Sequence, residues 1–321
     1  MISEKYVLGI DTSNYKTSIA VVDNKKNIIC DLRRLLKVKQ GERGLRQSDA
    51  LFQHIQNIPE LMKEARNCFD GVLSAVSYSS KPRPILGSYM PVFTAGKSAA
   101  ESIGAMMNIP CFAFSHQEGH IEAVRVYSIF KDKEEFLSCH FSGGTTEILK
   151  VSRDITIVGG SKDISFGQVI DRAGVSMGMS FPAGEMMDRL AESALQKTNI
   201  LTKVKVHDGW LNLSGIDTQI KNTIKTFKEN DNEPENIRTS LSAEIFEKLS
   251  EAVISMVKQV SESTGINDVL MAGGVCSSLF MRKRIERELK KINITASFDN
   301  KGLSSDNAVG TALLGGKNIW D

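Results

Sequence analysis

Apolar positions along this chain follow two patterns, short unbroken runs and runs at helical spacing. Tyr6–Ile10 is the first unbroken run, the mark of a strand buried on both faces, and it stops at the polar stretch Asp11–Thr17. Ser18–Asp23 and Asn27–Leu32 follow as two more strands, so the opening predicts an antiparallel meander. The same order returns about 131 residues later as Phe136–Phe141, the turn Ser142–Thr146, Glu147–Ser152 and Ile155–Gly159. Small hydroxyl residues occupy the first turn of both copies. A repeat of this size predicts a duplicated domain rather than a solenoid.

Between the copies the pattern predicts a helix over 49–65, a strand over 71–78, a helix over 96–107 and a short strand over 110–114. After the second meander come helices over 168–177 and 184–196, and a polar, loop-like stretch over 228–238. Leu241, Ile245, Leu249, Val253, Met256, Val257 and Val260 then recur at helical spacing, predicting a long core helix over 239–264. A strand over 268–272, the glycine turn Gly273–Gly274, a helix over 277–290 and a last helix over 307–314 complete the reading.

Composition narrows the class. The 321 residues are enough for two domains, and 41% hydrophobic with 24% charged residues is ordinary for a globular chain. Forty basic residues oppose 38 acidic ones, so no global field advertises nucleic acid or membrane. Any RNA contact has to come from a local patch or a partner. Two patches exist: Arg33, Arg34, Lys37, Lys39, Arg43 and Arg46, and Arg282, Lys283, Arg284, Arg287, Lys290 and Lys291. The second lies on a helix with Ile285 and Leu289 inward, which reads most simply as a solvated face. The cysteines show no Cys-x-x-Cys spacing and read as small buried hydrophobes. A strand begins almost at once, leaving no room for a signal peptide, and no apolar run reaches about 18 residues. A reducing, cytoplasmic location is expected.

Candidate chemistry starts with His116 and His120. At i and i+4 of a helix two imidazoles leave the same side and can share one divalent ion. The plainer alternative is a helix that begins with two polar residues. Asp306 would complete a facial site with open positions; it also fits the N-cap of the last helix, and the two roles are compatible. Gly143, Gly144, Thr145 and Thr146 suit a nest of backbone N–H groups for phosphate, although an ordinary hairpin explains one Ser-Gly-Gly turn as well. The pairing of two such turns, with Gly273–Gly274 after a buried strand, favours a nucleotide whose base or ribose lies on the third turn. Asp11 suits magnesium or a metal-bound water. This set resembles the actin, sugar-kinase and heat-shock-chaperone superfold, an α/β architecture in which two ribonuclease-H-like domains hold a nucleotide in the cleft between them. His140 reads as a packed core residue, His54 as a surface or half-buried one, and His207 as a loop residue. Gly-x-Ser-x-Gly, Walker and His-Glu-x-x-His signatures are absent, so nothing supports a protease.

Read together, these motifs resemble the tRNA threonylcarbamoyladenosine synthase subunit family, TsaD type, long called the glycoprotease or O-sialoglycoprotein endopeptidase family. The likeness runs nearly end to end. Gly9–Ser13 resembles the family's Gly-Ile-Glu-Thr-Ser, His116–His120 its His-x-x-Gly-His, and Ser142–Thr146 its Ser-Gly-Gly-His-Thr loop. Asp171, Pro182–Gly184 and Asp188 match an Asp, Pro-x-Gly, Asp block. Leu213–Ile216, Ala272–Val275 and Asp306–Asn307 match the remaining motifs in order.

The resemblance implies two ribonuclease-H-like lobes, here 1–115 and 116–321, the second with a helical insertion and the last helix returning to the first lobe. It implies one metal, iron or zinc, on His116, His120 and Asp306. Ser142, Gly143, Gly144, Thr145, Thr146, Asp171, Gly184 and Asp188, with Gly273, Gly274 and Ser278 at the third turn, would hold an adenine nucleotide, the threonylcarbamoyl adenylate. The implied reaction is acyl transfer to the exocyclic nitrogen of an adenosine beside the tRNA anticodon, together with partner subunits of the threonylcarbamoylation complex. Magnesium is a further candidate, and Asp11 the one candidate for a catalytic role.

The chain also departs from the pattern. Asn14–Thr17 replaces Cys-Asp-Glu-Thr, Lys81–Leu86 replaces a Gly-Pro-Gly-Leu loop, and the segment around Gly41–Arg46 is shortened. Thr145 replaces the loop His and Ser278 an Asn. These changes suit a diverged paralogue with another acceptor in a related carbamoyl transfer. The alternatives are a noncatalytic nucleotide-binding partner subunit, or an ATPase or phosphotransferase of the same superfold.

Overall fold

The structure is a computed structural model that describes residues 5–13, 15–38, 45–229 and 235–320. Asn14, the Lys39 and Arg43 members of the first basic patch, and most of the shortened 41–46 segment lie outside the described residues. The chain divides into two compact units, one Met1–Tyr127 with Leu303–Asp321, the other Ser128–Gly302.

The first unit is a five-stranded sheet of β1 (Tyr6–Asp11), β2 (Lys16–Asp23), β3 (Ile28–Leu35), β4 (Leu73–Lys81) and β5 (Cys111–Ser115), in the order β3-β2-β1-β4-β5. The predicted meander is present: β1–β2 and β2–β3 are antiparallel, whereas β1–β4 and β4–β5 are parallel. This is the ribonuclease-H-like order. Leu8 and Ile10 of β1 face Leu61 and Ala65 of α1 (Gln47–Arg66) and Ala100 of α2 (Phe93–Met107). Val7, from the opposite face, packs with Ala123 of α3 (His116–Arg125) and Ala312 of α9 (Val309–Trp320). Helices on both faces explain why β1 is apolar throughout. The expected lobe boundary falls ahead of α3, whereas the contacts divide the chain after Tyr127, because α3 is packed under α9 in the first unit.

In the second unit β6 (Phe136–Phe141), β7 (Thr146–Val151), β8 (Ile155–Ser161), β11 (Asp268–Ala272) and β12 (Thr295–Phe298) repeat the topology as β12-β11-β6-β7-β8. The short strands β10 (Trp210–Leu211) and β9 (Val206–His207) extend it beyond β8. The helices are α4 (Phe166–Ser176), α5 (Gly184–Ser193), α6 (Ser214–Glu229), α7 (Glu235–Thr264) and α8 (Leu279–Lys291). The α7 stripe read from sequence is core, with Leu241, Ile245, Leu249, Val253, Met256, Val257 and Val260 all buried.

Several elements differ from expectation. The strands β9, β10 and β12 are too short to show a period. The helix α6, though not expected, does show one: Ile216, Ile220 and Ile224 recur every fourth residue and all three are buried. The polar stretch over 228–238 joins the end of α6 to the start of α7, its middle lying outside the described residues. The last helix begins at Val309, not 307, and continues to Trp320. The basic face of α8 is partly paired: Lys283 pairs with Glu192, Arg284 with Glu247, and Arg287 and Lys291 with Glu288. In the first patch Arg33 pairs with Asp31, and Arg34 with Glu60 and Glu64. Among the described residues no helix is long and apolar enough to cross a membrane.

Candidate functional site

The first unit builds a metal-sized cluster from three elements. Ser115 caps α3 through a capping box with Glu118, so the helix starts at His116 and both histidines fall in its opening turns. Gly119, between them, lies where α9 crosses: a Cβ there would stand 2.8 Å from Thr311 Oγ1. Gly310 on α9 comes closer still, its notional Cβ lying 1.8 Å from the Gly119 carbonyl oxygen. Gly9 of β1 admits the start of the same helix, with Ala308 O at 2.3 Å from a notional Cβ. Three glycines thus let α9 lie against α3 and β1, and the loop ahead of α9 carries Asp306 to the histidines.

His116 Nε2 and His120 Nε2 are 2.9 Å apart. Asp306 Oδ1 is 3.3 Å from His120 Nε2 and 3.5 Å from His116 Nε2. Donors held about 2.1 Å from one ion sit roughly 3.0–3.4 Å from one another, so this triangle fits a single metal. Its two imidazoles and one carboxylate suit iron or zinc. Among the described residues this is the one cluster of three or more such side chains able to hold an ion.

Asp11 stands behind the cluster. Its Oδ1 is 2.9 Å from His116 Nδ1, and its Oδ2 accepts from the Ser13 hydroxyl at 2.6 Å. With the side chain fully buried and both oxygens engaged, Asp11 orients His116 and turns its Nε2 toward the cluster. It is not the free ligand for hydrated magnesium that the sequence suggested. Burial works against ionising Asp11, but the neighbouring His116 and the Ser13 hydroxyl hold its pKa below the usual value. Burial likewise opposes the charge on His116, yet Asp11 and Asp306 raise its pKa to about 10. His120 goes the other way, lowered by burial and by His116.

Asp306 does not cap the last helix. Asn307 does, its Oδ1 accepting from Val309 N–H at 2.9 Å, while its Nδ2 donates to the Leu303 and Ser305 carbonyls. Arg33 adds a bond of 2.8 Å to the Ser305 hydroxyl. The loop that presents Asp306 is therefore tied on both sides of it. The substituted loop Lys81–Leu86 lies beside α3, where the Pro82 carbonyl accepts from Gln117 N–H.

In the second unit the Ser142–Thr146 and Gly273–Gly274 turns follow the carboxyl ends of the paired parallel strands β6 and β11, while Asp171 lies on α4 and Gly184 and Asp188 on α5. The turn after β6 is closed by Ser142 N–H to Thr145 O at 2.8 Å. The Ser142 hydroxyl accepts from Thr145 N–H at 3.1 Å and, more weakly, Gly144 N–H at 3.4 Å, so these two amides point at the loop's own hydroxyl. A Cβ on Gly143 or Gly144 would meet open space. Thr146 Oγ1 is turned inward and accepts from Phe166 N–H. Gly273, at φ 90°, lies against the end of β6, with Phe141 O at 2.3 Å from a notional Cβ. Asp171 Oδ1 accepts from Ala183 N–H at 2.8 Å next to Gly184, and burial raises its pKa. Asp188 is committed to the start of α8, accepting from the Ser278 hydroxyl, Leu279 N–H and Phe280 N–H.

Sequence reasoning missed two residues here. Gly167 packs on the Ser142 turn, a Cβ there meeting Ser142 O at 2.5 Å. His54, expected near the surface, is completely buried, with Thr17 Oγ1 at 2.9 Å and the Ser13 carbonyl at 2.8 Å. Its place on the stripe Ala50, His54, Ile58, Leu61, Ala65 was the available signal. His140 is buried as expected, whereas His207 belongs to the short exposed strand β9.

A family model described as TsaD: tRNA N6-adenosine threonylcarbamoyltransferase matches residues 37–313. The chain belongs to that family. Its relatives include tRNA N6-adenosine threonylcarbamoyltransferases of Thermodesulfovibrio yellowstonii, 27% identical over 96% of this chain and 93% of the relative, and of Bacillus thuringiensis, 27% identical over 96% and 90%. The family is one of transferases that modify tRNA, as the resemblance implied. Among solved structures, component A of the Acidaminococcus fermentans (R)-2-hydroxyglutaryl-CoA dehydratase has a TM-score of 0.58 at 13% identity and covers 98% of both chains. A ROK family glucokinase from Streptomyces griseus has a TM-score of 0.55 at 10% identity, over 97% of this chain and 99% of that one. These two show the fold, the duplicated α/β superfold read from the repeat.

Proposed function

We propose that this chain transfers a threonylcarbamoyl group from its adenylate to the exocyclic nitrogen of an adenosine beside the tRNA anticodon. The convergence of His116, His120 and Asp306 in a member of this family carries the reading. His116 and His120 would hold iron or zinc through Nε2 and Asp306 through Oδ1, and such an ion would supply Lewis-acid polarisation of the carbamoyl oxygen or the adjoining phosphate. Asp11 keeps the His116 ring in place. The Ser142–Thr145 turn, Asp171 with Gly184 and the Gly273–Gly274 turn hold the adenylate, Gly143 and Gly144 leaving room for phosphate to approach. Asp188 and Ser278 fix the start of α8 behind the third turn, and Thr146 anchors the first turn to α4. The adenosine nitrogen attacks the carbamoyl carbon, the bond from that carbon to the phosphate oxygen breaks, and AMP leaves with the bond's electron pair. The nitrogen gives up one proton to the departing phosphate or to solvent. No side-chain nucleophile enters. That agrees with the core cysteines, because burial keeps both Cys139 and Cys276 as thiols. A cytoplasmic location and protein partners related to the other subunits of the threonylcarbamoylation complex go with this reading.

The test is a reconstituted assay with tRNA, the adenylate and those partner subunits. Modified adenosine should form with the wild type and vanish in His116→Ala and Asp306→Ala. Metal and nucleotide binding without modification of any tRNA would refute the transfer and favour a noncatalytic partner. Release of γ-phosphate from ATP instead would favour a phosphotransferase.

A further inference from the structure

Behind the metal ligands, the polar groups of the first unit form an unbroken line that ends outside the cluster, at His54. The His54 Nε2 faces the Ser13 carbonyl and its Nδ1 faces Thr17 Oγ1. A carbonyl only accepts, so Nε2 carries the proton and Nδ1 accepts from the Thr17 hydroxyl. Asn57 Nδ2 donates to Thr17 Oγ1 at 3.0 Å, occupying an oxygen lone pair. One neutral tautomer therefore satisfies both ring nitrogens. Ser13, held at its carbonyl by His54, uses its hydroxyl to hold Asp11, and Asp11 holds His116. An apolar side chain of similar volume would fill the same stripe of α1 between Ala50 and Ile58 but could fasten neither Ser13 nor Thr17.

Resting on the metal-centre reading above, we propose that His54 is a positioning residue of that centre: it fastens the β1–β2 connection to α1, and so fixes Asp11 and the ring of His116. It touches neither ion nor substrate. A group bonded directly to a ligating histidine, as Asp11 is, carries about 10–100-fold in metal affinity, and that sets the ceiling for His54, which acts through Ser13 and Asp11.

The test measures Zn(II) affinity of the purified full chain by competition with a chromophoric chelator, and the absorption spectrum of its Co(II) form. His54→Leu should weaken Zn(II) binding by about 10-fold, the lower end of what loss of a direct partner costs, and alter the Co(II) spectrum. His54→Gln, which returns an N–H near the position of Nε2, should recover most of the affinity. Ile58→Ala, a core loss on the same helix that leaves the line intact, should lower thermal stability without moving the affinity. Thr17→Val cuts the line from β2 and decides the matter if His54→Leu does not fold. Wild-type affinity in His54→Leu or, failing that, in Thr17→Val overturns the positioning role alone. So does an equal loss in Ile58→Ala. A wild type that takes up no metal overturns the metal-centre reading itself.

Discussion

Adding one methyl group at Gly310 should dismantle the metal centre from a distance. A Cβ there would stand 1.8 Å from the Gly119 carbonyl oxygen and 2.7 Å from Ala123 N. Carbon and oxygen settle at about 3.3 Å, so α9 would have to retreat by roughly 1.5 Å. Metal–ligand distances tolerate about 0.2 Å, and Asp306 stands immediately ahead of α9 while both histidines stand on α3. Gly310→Ala should therefore lose the carboxylate ligand, with a loss of affinity exceeding the 10–100-fold typical of a missing supporting contact. Overpacking adds about 1–3 kcal/mol of destabilisation, a fall in Tm of about 2–4 °C per kcal/mol for a unit of this size. Chelator competition measures the first effect and thermal denaturation of the metal-free protein the second. Gly215→Ala, whose Cβ meets open space in the first turn of α6, is the control: it should leave metal affinity unchanged and raise stability by about 0.4–1 kcal/mol. Wild-type metal affinity in Gly310→Ala would refute the reasoning, since the ligands would then converge without the close crossing of α3 and α9.

Other substitutions separate holding a ligand from holding the fold. Asp188→Ala removes the acceptor for the Leu279 and Phe280 amides and should cost about 0.5–2 kcal/mol of unfolding free energy in urea; an unchanged midpoint would count against the capping role. Gly143→Ala and Gly144→Ala should leave stability within about 0.5 kcal/mol while weakening nucleotide binding in calorimetric titration; unchanged binding would show that the phosphates do not approach this turn. Burial works against ionising Asp163, but the Leu213 and Ser214 amides at the start of α6 together outweigh it and lower its pKa. The unfolded chain then binds the proton more readily, so this stabilisation is present above about pH 3.8 and lost as pH falls below it. Asp163→Asn should flatten that acid limb in denaturation curves recorded from about pH 2 to 5.

In the first unit the meander was legible because helices cover both faces of the sheet, which makes β1 an unbroken apolar run. Its counterpart β6 is equally buried but carries Ser138 and His140, so there the repeat order was the signal. The histidine pair was legible because helix geometry alone puts i and i+4 side by side. Asp306 was read as a cap because it precedes a helix, but Asn307, one residue on, is the group whose oxygen reaches the first free amides. What no local rule reveals is which polar residues face inward. His54 lies on the apolar stripe of α1, yet an imidazole on such a stripe is buried only if partners wait for both nitrogens, and Ser13 and Thr17 come from another part of the chain. Asp188 is a similar case: its spacing from the Pro-x-Gly turn matches the family, but the amides it receives belong to a helix some ninety residues later.

The course of the chain gives the metal cluster a place in time. His116 and His120 leave the ribosome well before Asp306, with the whole of Ser128–Gly302 synthesised between them. Until α9 arrives, the glycine seam on β1 and α3 stays uncovered and the histidines lack their carboxylate. An ion that needs all three side chains is therefore expected to be taken up only after α9 has been made. A single protease cut in the return segment near Leu303 would separate Asp306 along the chain from the two histidines while breaking no bond within either sheet.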